Sequence, residues 1–385
     1  MLLIRLPFDA RVDEYDAQAG SALDALRRGE PQAIAFFRHH HPDFRREDVP
    51  WLARDVGDAA VRDAGFTHDD ARLAVARAYD LLDWPSLVAI ADAIQDAESP
   101  IARFERAVEA TIDGDVGALR RAVADDPTVT HARSTRLAPF DPPRHRATLL
   151  HYVAANGVEG HRQRTPPNAV DVARILLEAG ADPDALADMY GGTCGVMSML
   201  VSSSHPARAG VQVALVDLLV DHGASVEALG HGAWRSPLYT ALIFGFVDTA
   251  RALVRRGARV DTLTEATGLG DLDAVRERLP GASADDRHRA VAMAATTGQA
   301  EAMRLLLDAG EDPDRFNPAN AHAHATPLHS AIAEGHLDVV RVLVEHGARL
   351  DIPDRIHAST PLGWADYLGR THIAAYLRNL PPTRP

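Results

Sequence analysis

The chain contains no lysine: every one of the 40 basic residues among its 385 is an arginine. Arginine keeps its proton, so Schiff-base chemistry on a carbonyl substrate or on pyridoxal phosphate is excluded, and so is a phosphate-binding loop built on lysine. Cys194 is the only cysteine, which rules out an internal disulfide and any multi-cysteine zinc or iron–sulfur site. No stretch reaches the roughly 20 uninterrupted apolar residues of a membrane span, and the opening segment meets Pro7 and Asp9 before a signal-type run develops. A cytoplasmic location without membrane contact is therefore expected. Positive charge is also in short supply. With 54 acidic residues the net charge is −14, a field that repels polyanions and argues against DNA or RNA as a partner. What remains is 46% hydrophobic and 24% charged residues, a balance that buries a core over most of the length.

Self-similarity organises that core. Thr148-Leu149-Leu150-His151, Ser236-Pro237-Leu238-Tyr239, Thr326-Pro327-Leu328-His329 and Thr360-Pro361-Leu362-Gly363 open apolar helical runs at spacings of 88, 90 and 34 residues. A degenerate start at Thr193-Cys194-Gly195 splits the first gap into 45 and 43. The second half of each unit repeats too: 172–180, 215–223, 249–257 and 339–347 share one apolar pattern ending in glycine, each followed by alanine. Physically this is a helix–turn–helix unit. Threonine caps exposed amides, proline at the first helical position forfeits no hydrogen bond, and glycine at the end accepts a left-handed backbone. Weaker units at 103–124, 263–279 and 289–310 bring the count to eight from about residue 103, with Thr360 to Leu380 as terminal cap.

These features resemble the ankyrin repeat, whose threonine–proline–leucine–histidine start stands intact at Thr326 to His329. The resemblance implies an all-α ankyrin-repeat solenoid over residues 101–385, with finger loops between units. Residues 1–100 lack such starts but show helical periodicity at 21–40 and 69–96, broken at Trp84-Pro85, and read as a helical leader capping the first unit. The stretch from Ala71 to Leu87, with segments at 151–159, 162–166, 187–192 and 204–212, resembles a large bacterial family of ankyrin-repeat proteins. Two positions depart from it: Asp80, where glycine is expected, and Cys194-Gly195, where a Thr-Pro or Thr-Thr start is usual.

Function is sought where a plain repeat needs no extra residues. Segments 159–168 and 202–210 lengthen the turns of two successive units and are expected to project side by side; surface turns also tolerate insertion at little cost. Residues 131–164 carry six arginines (133, 136, 144, 146, 162, 164) against Asp141 and Glu159, inverting the local charge. Arg144, His145 and Arg146 on a finger suit a carboxylate, a phosphate or an acidic partner, unless they only pair with neighbouring acids. Tyr152, Asn156, Arg162, Gln163 and Tyr190 join them as candidate contacts, with Trp234 and Tyr239 on a later finger. His151, Asp188, Tyr190 and His205 are the candidate acid–base groups for a proton-transfer or cyclisation reaction without cofactor, although His151 also suits a backbone-bonding role. His39 to His41 reads as a helix end, and His322 with His324 lacks a nearby acid or cysteine, so no metal site is expected. Two functions follow: a scaffold recognising a protein through its concave groove, or a small-molecule binder or cofactor-independent enzyme acting on an anionic substrate in a pocket at 144–212.

Overall fold

Capping chemistry punctuates the chain where the repeat predicts it. Ser236 and Thr360 accept from the backbone N–H three residues on, and the Thr326 hydroxyl lies 2.8 Å from His329 Nδ1; such caps contribute about 1 kcal/mol each. Pro237, Pro327 and Pro361 occupy the first helical turn. Gly335 closes the helix Pro327–Glu334 in a left-handed conformation at φ +84°.

The computed structural model describes residues 5–46, 53–227, 229–230, 236–319 and 321–380. The chain divides into two units, one running to Ala224 and taking in Gly230, the other holding the rest. The first unit begins with helices Val12–Arg27, Pro31–His40, Asp58–Arg62, His68–Ala78 and Trp84–Gln95 around a core that includes Leu26, Phe37, Val75 and Leu87. The periodic stretches 21–40 and 69–96 each resolve into two helices, because Gly29 (φ +73°) and Asp80 (φ +56°) turn the backbone out of the helical region. Three helix pairs follow: Pro100–Asp113 with Val116–Asp125, Leu149–Val153 with Ala169–Glu178, and Val196–Val201 with Gln212–Asp221. First helices touch first helices, and second helices touch second helices, in succession.

The second unit holds five pairs: Pro237–Ile243 with Val247–Arg255, Leu263–Leu269 with Leu272–Arg278, Ala284–Thr297 with Ala300–Asp308, Pro327–Glu334 with Leu337–Glu345, and Pro361–Tyr367 with Thr371–Arg378. Leu263, Met303, Leu306, Ile332, Leu343 and Ile373 run through its core. Eight pairs among the described residues match the expected count. No helix among them is long and apolar enough to cross a membrane.

One finger is a true β-hairpin. Leu186–Met189 pairs antiparallel with Gly192–Gly195, joined by Tyr190 (φ +56°) and Gly191 (φ +73°), the two left-handed residues that a tight two-residue turn demands. The second strand runs straight into the Val196–Val201 helix, with Gly195 as its N-cap. That continuity accounts for the missing Thr-Pro start at Thr193 to Gly195.

Candidate functional site

Helix Pro100–Asp113 buries Phe104, Val108 and Ile112 and, on the same side, Glu105, which is 1% exposed. A carboxylate inside an apolar stripe needs a cation, and two arrive from distant loops. Arg136 Nη1 lies 3.3 Å from Glu105 Oε2, and Arg162 Nη2 donates to the same oxygen. Arg162 also reaches Glu159 Oε2 and Glu109 Oε1, each at 3.2 Å, while Arg136 Nε stands 3.3 Å from Glu159. Glu159 Oε1 accepts from the Tyr152 hydroxyl and pairs with His145 Nε2, both at 2.7 Å. Ala147 N–H donates to His145 Nδ1, which leaves the Nε2 proton for Glu159. Burial opposes ionisation of Glu159, yet Arg136, Arg162 and His145 outweigh it and hold the carboxyl well below the usual range.

This network draws the insertion 159–168 toward the leader. His161 N–H and Nδ1 both meet Asp80 Oδ2, at 2.9 and 2.6 Å, and Asn168 donates to the Gly114 carbonyl at 2.9 Å. Asp80 thus holds the left-handed position where glycine was expected and uses its carboxylate there. The insertion 202–210 contributes a different contact: Ser203 donates to Ala155 O at 2.8 Å, and Asn156 Nδ2 lies 2.6 Å from Ser202 Oγ. The second insertion therefore contacts the turn at 155–156, just before the first insertion, while Arg162 of the first packs on Pro100–Asp113.

The finger residues sort into buried and exposed groups. His145, Tyr152 and Arg162 are buried in the ion cluster, and Gln163 donates to Gly157 O at 2.7 Å. Arg133 donates to the carbonyls of Arg146 and Leu186, fastening the hairpin to the preceding finger, and Asp188 N–H donates to His145 O at 2.7 Å. Arg144 and Arg146 remain exposed, the latter 3.8 Å from Asp188. Tyr190 and Phe140, 46% and 47% exposed, stand at the ends of these two loops.

The acid–base candidates are not gathered. His151 is buried, its Nδ1 accepting from the Thr148 N–H at 3.2 Å and meeting the Thr148 hydroxyl at 2.9 Å, its Nε2 donating to Cys194 O at 3.3 Å. Burial lowers its pKa to about 4, and neither nitrogen is left for a substrate proton. Tyr190 reaches Asn156 Oδ1 at 3.4 Å, Asp188 faces Arg146, and His205 lies half-buried in the short helix Ser204–Arg208. Tyr239 sits partly buried in the second unit, and Trp234 lies outside the described residues. The His322 and His324 rings stand 6.0 Å apart, edge to face, and His324 leans on Trp364. Sequence reasoning passed over Glu105, Glu109 and Tyr15; the available signal was Glu105 beside Phe104, Val108 and Ile112 on one helical face.

Comparison with known proteins bears directly on the repeats. Residues 145–188 match the ankyrin repeat and residues 263–355 match ankyrin repeats in three copies. Human cyclin-dependent kinase inhibitor 2A is 33% identical over 141 residues, 37% of this chain and 74% of that protein. The chain belongs to the ankyrin-repeat family. Bovine cyclin-dependent kinase 4 inhibitor B is 32% identical over 120 residues, 30% of this chain and 88% of that protein. Mouse ankyrin repeat and SAM domain-containing protein 6 is 34% identical over 108 residues, but this ankyrin-repeat chain spans only 12% of its length.

Proposed function

We propose that this ankyrin-repeat chain is a binding scaffold that recognises a protein partner through its finger loops, and that the partner offers acidic side chains to the fingers around 140–146 and 186–195. One observation carries the reading: Arg144 and Arg146 stay exposed beside the exposed aromatics Phe140 and Tyr190, while the neighbouring polar groups are already engaged within the protein. Arginine and large aromatic side chains supply most of the energy at protein interfaces. The relatives named as kinase inhibitors, whose names specify a protein target, support a binding role over catalysis. We also infer a cytoplasmic setting, and the resemblance of the stretch 71–87 suggests a bacterial ankyrin lineage alongside the mammalian relatives.

Residues 1–100 serve in this reading as a cap on the array. Leu82 N–H donates to Leu137 O at 2.7 Å and Arg136 Nη2 to Tyr79 O at 3.3 Å, contacts that join leader and first finger. The test is affinity capture from the source lysate with the full chain and with the double variant Arg144→Glu, Arg146→Glu. Proteins retained by the wild type, released by added salt and lost with the variant are expected. An identical set captured by both proteins would overturn the assignment of the fingers.

A further inference from the structure

Between the leader and the first helix pair lies a cavity of about 160 Å³, bounded by Pro7, Leu87, Ile90 and Ile94 on one side and by Tyr15, Arg136, Arg162 and Arg164 on the other. Its two walls differ in kind. The helix Trp84–Gln95 presents a continuous aliphatic surface, with Leu87, Ala91 and Ile94 each less than 9% exposed. The opposite wall is the outer side of the buried ion cluster. There Arg136 and Arg162 are answered by Glu105 and Glu159, and Arg164 by Asp113 at 3.0 Å and Glu109 at 3.6 Å.

Two polar groups on the lining have no such answer. Arg5 donates only to the carbonyl oxygen of His161, so among the described residues no carboxylate balances its charge. Tyr15 is 7% exposed, stacks edge to face on Tyr79 at 5.0 Å, and has no hydrogen-bond partner among the described residues. Burial raises its pKa to about 12, so the hydroxyl stays protonated and acts as a donor. The space accepts on the order of ten non-hydrogen atoms, judged from the volume one water needs.

We propose that this cavity binds a small aliphatic carboxylate, its anionic end facing Arg5 and Tyr15 and its hydrocarbon chain lying along Leu87, Ile90 and Ile94. The requirements coincide: an uncompensated cation and a free donor select an anion, and the aliphatic wall selects an unbranched apolar tail. This inference is independent of the scaffold reading, since none of these residues belongs to the exposed fingers.

The test uses the full chain with octanoate as probe and 1-octanol as its uncharged counterpart, measured by titration calorimetry. Octanoate is expected to bind, and octanol at least about tenfold more weakly, the loss of one charge-assisted contact. Arg5→Gln and Tyr15→Phe should each weaken octanoate by a similar factor, and Ala91→Leu, which fills the cavity from its apolar wall, should abolish binding while leaving the thermal midpoint near that of the wild type. Three results would overturn the proposal: no octanoate binding at millimolar concentration, equal affinity for the alcohol, or unchanged octanoate affinity in both Arg5→Gln and Tyr15→Phe. The last two variants remove single polar groups at the cavity and remain decisive even if Ala91→Leu fails to fold.

Discussion

Replacing Glu159 by glutamine removes one charge from a site buried away from solvent. Glu159 is 4% exposed and gathers four partners: Tyr152 and His145 at 2.7 Å, Arg162 at 3.2 Å and Arg136 at 3.3 Å. Glutamine keeps the shape and one acceptor oxygen but leaves Arg136 with Glu105 alone and Arg162 with Glu105 and the partly exposed Glu109, and turns an amide donor toward them. Breaking a buried pair in this way costs about 3–5 kcal/mol. The assay is urea unfolding of the full chain by far-ultraviolet circular dichroism, with hydrogen exchange of peptides covering 149–163 as the local readout. A lower midpoint at unchanged slope is expected, with loss of protection in those peptides. The double variant Glu159→Gln, Arg162→Met removes both charges and should cost clearly less than the sum of its single changes. A loss below about 1 kcal/mol for Glu159→Gln, or strict additivity in the double variant, would refute the account of a charge-balanced cluster.

Two further outcomes follow from single residues. His151 is held unprotonated down to a pKa of about 4 against an ordinary 6.5, so the unfolded chain takes up the proton first. Its contribution is complete above pH 6.5 and is lost progressively as pH falls from there toward 4. Denaturant midpoints of wild type and His151→Gln across that window should show a shallower fall in the variant; parallel curves would remove His151 as the cause. Gly298 closes the helix Ala284–Thr297 at φ +77°, and an added Cβ would stand 2.7 Å from His336 Nδ1. Gly298→Ala should therefore cost about 1–3 kcal/mol. It should also cost more than Gly310→Ala, which has a left-handed φ of +94° but open space around it. Equal thermal shifts for the two would dismiss the steric part.

The repeat was legible because its signals are local. Thr326 caps a helix beginning one residue later, and Gly335 ends the same helix, so spacing alone places both. The leader's breaks were half legible: Gly29 announces a turn, whereas Asp80 occupies a left-handed position that only its bond to His161, 81 residues on, makes intelligible. The site was the least legible part. Six arginines against two acids in 131–164 read as an exposed positive field. Most of their carboxylate partners, however, lie outside that window: Arg162 closes on Glu105, 57 residues upstream, Arg164 on Asp113 and Arg146 on Asp188, while the one partner inside it, Glu159, is itself buried. Charge counted along a segment says nothing about charge paired across a fold. The exposed Arg144 and Arg146 are indistinguishable by composition from the buried Arg136 and Arg162.

The absence of lysine acquires a structural sense in that cluster. Arg162 engages Glu105 and Glu109 through one terminal nitrogen and Glu159 through the other, while Arg136 spreads its three nitrogens over Glu105, Glu159 and the Tyr79 carbonyl. A planar fork with donors fixed in direction can bridge carboxylates that approach from separate segments, and it carries a weakly hydrated charge into a buried site at lower cost than a compact ammonium. The arrangement joins helix Pro100–Asp113, the finger at 136 and the insertion at 159–162 through ionic contacts. Rigidity gained there holds the neighbouring finger in place, and a finger held in place loses less conformational entropy when a partner docks on it.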